Sequence, residues 1–91
     1  MQYKDEKSLQ LRAKLGEIIR KIREDEIGIS NNRLANEYGL NDSNLSKIER
    51  AEIDCKFVTF WKIAEALGLK PSEFVKILEQ ELGEDFTLID E

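Results

Sequence analysis

The chain contains no histidine, a single cysteine and a single proline. Without histidine it lacks the side chain that titrates nearest neutral pH and the commonest metal ligand. With Cys55 alone, an internal disulfide, a zinc set of cysteines and histidines and a Cys–His nucleophile pair are all excluded, and a reducing compartment fits. Carboxylates are numerous, but they scatter over helix surfaces, where solvation is their ordinary role. No enzyme, cofactor or metal is expected. Long apolar runs are missing as well. Nothing approaches the ~20 residues that a membrane-spanning helix needs, and the opening stretch MQYKDEKSLQLRAK has no apolar core of the signal-peptide kind. A cytoplasmic protein is the expectation.

Positive charge is scarce. Fourteen Lys and Arg stand against 19 Asp and Glu, a formal net charge of −5. Residues 1–28 carry seven basic and six acidic groups, residues 29–56 four and five, and residues 57–91 three and eight. The acidity therefore belongs to the last third. A nucleic-acid binder is ordinarily basic, so the sum argues against one. Phosphate contact, however, depends on the potential within about a Debye length, ~10 Å, and the first two thirds are close to neutral.

What remains reads as an all-α chain of 91 residues, enough for one modest core. Apolar residues at three- and four-residue spacing predict five helices. The first runs from Lys4 or Ser8 to Glu26 on Leu11, Leu15, Ile18, Ile19 and Ile22. The second spans about 31–38 and the third about 42–50. The fourth, about 57–67, turns Phe57, Phe60, Ile63, Ala64 and Leu67 to the core, and the fifth, about 71–82, presents Phe74, Ile77, Leu78 and Leu82. Gly28, Gly39, Gly68 and Gly83 each follow such a segment, where a C-cap favours a left-handed residue. Pro71 begins a helix, where its missing N–H costs nothing. Gly16 alone lies inside a helical pattern, a loss of about 1 kcal/mol relative to alanine that close packing would explain. Residues 1–83 are expected to form a single domain. The acidic tail, 84–91, is open to three readings: a short strand, a partner-binding arm or a frayed end.

The most informative stretch is ISNNRLANEYGLNDSNLSKIER, residues 29–50. Two short helical patterns flank a turn at Gly39 and Leu40. Leu34, Ala35, Tyr38, Leu40, Leu45 and Ile48 make the apolar side, which leaves the second helix of the pair with a polar outer face. A helix-turn-helix needs this arrangement to push its second helix into a DNA major groove. Ser30 is the expected N-cap of the first helix of the pair, and Asn41 or Asp42 of the second.

All five asparagines, Asn31, Asn32, Asn36, Asn41 and Asn44, fall inside this stretch. Asparagine is a poor helix former, so the clustering needs a reason. An amide that both donates and accepts matches an adenine edge or a phosphate. The plainer alternative is that Asn31 and Asn41 cap helices while the others face water, and for Asn41 capping is preferred. Ser43, Asn44 and Lys47 share the side opposite Leu45 and Ile48. Lys47 has the reach for guanine O6 or N7 or for a phosphate. Asp42 has the chemistry to accept from cytosine N4, although a role at the positive end of the helix dipole suits it better. Arg33, Arg50 and Lys56 are candidates for backbone contacts.

Residues 15–78 resemble the lambda-repressor-like, Cro-type (XRE-like) helix-turn-helix regulators of bacteria and phage. The segments LGEIIRKIR, ISNNRLANEYG, LNDSNLSKIER and FWKIAEALGLKPSEF carry the likeness. It implies a five-helix domain that binds operator DNA, commonly as a dimer. By position, Asn31 falls where such proteins usually have a Gln that touches the DNA backbone. Asp42, Ser43, Asn44 and Lys47 fall on base-facing positions. Arg23 and Glu49 match an Arg–Glu pair that ties the first helix to the end of the third. The sequence departs from the pattern in three places: Asn for Gln at 31, Ala51 where Gly is common, and one residue more within REDEIGIS.

The expected activity is therefore sequence-specific binding of double-stranded DNA, with the third helix in the major groove. A transcriptional regulator, a repressor on a palindromic operator, is the role in view. Val58, Trp61, Val75 and Leu82 are the candidate dimer surface, and Ile77 is assigned to the core. Two alternatives stand beside this reading. One is the antitoxin of a toxin–antitoxin pair, gripping a basic partner protein through the acidic tail. The other is a protein-interaction module that keeps the fold without binding DNA.

Overall fold

Leu15, Ile18 and Ile19 recur on one side of the first helix, α1 (Glu6–Lys21), and are buried in the computed structural model, which describes residues 6–89. A start at Lys4 and the last two residues of the tail lie outside the described residues. Beyond Lys21 the chain does not continue as α-helix to Glu26. It widens into a π-helical turn, Ile22–Ile27, closed by a bond from the Gly28 N–H to the Arg23 carbonyl at 2.7 Å. The hydrogen bond of a π turn spans one residue more than that of an α turn, and REDEIGIS runs through this turn. Gly28, with φ +76, then turns the chain out of the helix.

Four further helices follow: α2 (Asn31–Tyr38), α3 (Asp42–Glu49), α4 (Phe57–Ala66) and α5 (Pro71–Leu82), with no strand among the described residues. Their ends are locally encoded. Ser30 Oγ accepts from the Arg33 N–H at 3.1 Å, and Asn41 Oδ1 accepts from the Asn44 N–H at 2.9 Å. Asn41, rather than Asp42, is thus the N-cap of α3. At the start of α5 the Glu73 carboxylate accepts from the Lys70 N–H at 2.8 Å, beside Pro71.

The core is drawn from every helix: Leu15, Ile18, Ile19 and Ile22 with Leu34, Ala35, Leu45, Ile48, Phe60, Ile63, Ala64, Ala66, Leu67 and Phe74. α1 lies against α3 and α5, α2 against α3 and α4, and α4 against α5. Phe60 and Phe74 meet edge to face, with ring centroids 5.2 Å apart. Ile77 and Leu78 are half-buried against this core. Two residues expected on the buried side are instead exposed. Phe57 is 71% exposed, because it opens α4 one turn before any other helix covers that face, and its ring rests on Phe60 and Trp61 instead. Tyr38, the last residue of α2, is 51% exposed, and Leu40 beyond the turn packs on the core in its place. In the described tail, Phe86 is half-buried, while Leu88 and Ile89 are exposed and form no strand.

Candidate nucleic-acid interface

α3 is held from behind and open in front. Leu45 and Ile48 are buried beneath it, and its C-terminal end is gripped at three levels by α1 and the π-helical turn that follows it. Arg12 Nη2 donates to the Ala51 carbonyl at 2.9 Å. Gly16 lies directly on the last turn of α3: a Cβ there would collide with the Glu49 carbonyl oxygen and come within 2.7 Å of that of Ile48. Arg23 Nε and Nη2 donate to the two carboxylate oxygens of Glu49 at 2.8 and 2.9 Å, and Nη1 donates to the Ile29 carbonyl at 2.9 Å. The two side chains are only 8% and 5% exposed. The hydrogen bond to Glu49 raises the Arg23 pKa further, so the guanidinium stays charged. A buried pair with both partners satisfied in this way fixes geometry more than it adds stability.

Arg12 was not singled out by its residue type. The signal is positional: Arg12, Gly16, Ile19 and Arg23 succeed one another at four-, three- and four-residue spacing, a stripe that runs along α1 into the π-helical turn.

The turn after α3 is a Schellman closure. Glu52 N–H donates to the Lys47 carbonyl at 2.8 Å and Ala51 N–H to that of Ile48 at 3.0 Å. Its left-handed position belongs to Ala51, φ +61, the only described residue other than glycine with positive φ. The Gly-to-Ala departure therefore leaves the turn intact and strains one residue.

On the open side, Asp42, Ser43, Asn44 and Lys47 are all exposed. The side chains of Ser43, Asn44 and Lys47 make no hydrogen bond or salt bridge with any described residue. Asp42 differs: its carboxylate accepts from the Asn32 side-chain amide of α2, and Asn32 Oδ1 accepts from Asn36 Nδ2 at 3.2 Å. Asn31 does not join this row. Its Oδ1 is buried and has no hydrogen-bond partner. The structure also brings in Lys62 of α4, which lines one shallow cleft with Asn41 and Asn44. No local pattern marks Lys62, since its proximity to α3 is a matter of helix packing.

A family model described as helix-turn-helix, of the XRE-type, lambda-repressor-like kind, matches residues 19–74, more than half of the chain. The chain belongs to this family. No curated protein matches it.

Membership places this XRE-type domain among DNA-binding transcription regulators, a family that is typically non-enzymatic. No described helix is long and apolar enough to cross a membrane. Among the described residues, no group of three or more His, Cys, Asp or Glu is placed to hold a metal ion.

The basic residues expected to meet the DNA backbone are largely engaged within the domain. Arg33 Nε donates to Glu37 at 2.9 Å. Arg50 donates to Glu52 and to Ser46 Oγ, both at 2.8 Å, and the Arg50 guanidinium holds the Glu52 carboxyl below its ordinary pKa. Lys47 and Lys56 stay exposed. The candidate dimer residues fall into two places. Val75 and Leu82 line an open apolar groove with Leu11, Leu78 and Phe86. Val58 and Trp61 are exposed on α4, where Trp61 contacts Phe57 edge to face and its Nε1 donates to Glu65.

Proposed function

We propose that this protein is a sequence-specific transcription regulator, a repressor that binds a palindromic operator as a homodimer with α3 in the major groove. The observation that carries the reading is the one-sided restraint of α3. Its buried side is fixed by Arg12, Gly16 and Arg23, while the side chains of Ser43, Asn44 and Lys47 are exposed and make no hydrogen bond or salt bridge with a described residue. A short helix reads only a few base pairs, so a twofold pair of recognition helices about one turn of DNA apart, ~34 Å, supplies the remaining specificity. α5 and its groove, with Val75 and Leu82, are the surface through which a second copy would join.

Selection of bound duplexes from a random pool tests the reading and returns the operator in one step. A palindromic consensus is expected. Lys47→Ala should then weaken binding to that duplex by ~1–3 kcal/mol if Lys47 contacts a base; unchanged affinity removes Lys47 from the readout.

The carboxylate partners of Arg33 and Arg50 favour a second reading, a protein-interaction module of the same fold. It predicts that no duplex is enriched at moderate salt and that no steep salt dependence is seen, against about −0.9 per phosphate neutralised for a DNA binder.

A further inference from the structure

Asp42 is a carboxylate on a face proposed to meet phosphates, and it is turned sideways. It accepts from Asn32, the first residue of α2 after Asn31, and Asn32 accepts in turn from Asn36 one helical turn on. Both asparagines are exposed. A carboxylate only accepts, so the Asn32 group facing it has to be the NH2. That assignment propagates: the Asn32 oxygen then faces Asn36, which must donate. The row has one polarity, set at its Asp42 end. Each NH2 retains one N–H that the row does not use, on a residue exposed on α2. Asn31 stands outside the row: its Oδ1 is buried and has no hydrogen-bond partner among the described residues.

We propose that Asp42 is a positioning residue: it orients the Asn32–Asn36 amide row so that its free N–H groups donate to the phosphate oxygens of a DNA strand running along α2. Asparagine amides are ordinary phosphate donors, and they supply the contact without positive charge, as this weakly basic face requires. The inference rests on the DNA-binding reading above.

Simple electrostatics and positioning predict opposite signs for one substitution. Removing a carboxylate from a DNA-facing surface should tighten binding. If Asp42 orients the row, Asp42→Ala should instead weaken binding to the selected duplex about five- to tenfold, the size of a lost hydrogen bond or two. The loss should disappear in an Asn32→Ala background, where there is no row to orient. A merely structural effect of Asp42 on the start of α3 would persist in both backgrounds. Asp42→Ser, too short to reach Asn32 but well suited to a helix start, repeats the measurement should Asp42→Ala fold poorly. Equal or tighter binding of the Asp42 variants, or the same loss with and without Asn32, overturns the proposal while leaving DNA binding intact. Failure of the unsubstituted protein to enrich any duplex overturns both.

Discussion

Ala51 occupies a left-handed backbone position that glycine adopts freely and alanine does not. Its carbonyl is held by Arg12 and its N–H by Ile48, so the turn cannot relax around it. Ala51→Gly is therefore expected to stabilise the protein by about 0.5–1 kcal/mol, the relief of strain offset in part by the more flexible unfolded chain. A Tm higher by a few degrees in thermal unfolding is the readout, and a lower one contradicts the strain. Cys55 makes a second prediction. Burial, with Asp54 adding, pushes its thiol up to about 11. The folded state holds the proton more tightly than the unfolded chain, so this group's share of stability is full below about pH 9 and is lost as pH rises towards 11. Alkylation of the folded protein at pH 8 should run roughly a hundredfold slower than that of a free cysteine. A rate equal to that of the unfolded chain contradicts it.

Between elements, the decisive contact is that of α1 with the last turn of α3. Helices as short as α2 and α3, eight residues each, are marginal alone, so the orientation of α3 is inherited from what holds it. Glu49→Gln removes the buried counter-charge of the Arg23 guanidinium, leaving only the exposed Glu24 carboxylate 3.5 Å from Nη2, and should cost up to ~3–5 kcal/mol in urea denaturation. Replacing both partners by apolar residues of similar size should cost clearly less, which separates the stranded charge from the packing. The π-helical turn belongs to the same scale. The extra residue before Gly28 is legible in the sequence, but whether it would lengthen the loop or widen the helix was not. In the structure the widened turn carries Arg23, which reaches both Glu49 and the Ile29 carbonyl.

For the whole molecule, the net charge of −5 is partitioned by the fold. The acidic last third forms α4, α5 and the tail, and α5 packs on α1 and α4. Near α3 the balance is finer, because Glu37 and Glu52 occupy Arg33 and Arg50. Phosphates would have to displace these carboxylates, which favours a tightly fitted operator over DNA at large. Glu37→Gln with Glu52→Gln is expected to raise non-specific affinity and to steepen the salt dependence by up to about 0.9 per freed arginine. An unchanged slope in a salt titration means that these arginines never reach the backbone.

By itself the sequence determined the all-helical class, the caps at Ser30 and Asn41, the punctuation at Gly28 and Gly39 and the helix-turn-helix, because apolar spacing and capping act within one or two turns of chain. The close approach at Gly16 was likewise foreshadowed by a glycine inside an otherwise helical stripe. Only the tertiary structure decided that Asp42 faces Asn32, that the Asn31 amide oxygen is buried, that Arg12 holds the end of α3 and that Lys62 borders Asn44. It also left Phe57 and Tyr38 uncovered, at helix ends that periodicity had assigned to the core. Periodicity names the side of a helix that is apolar; whether another helix reaches each turn of that side depends on chain segments far away in sequence.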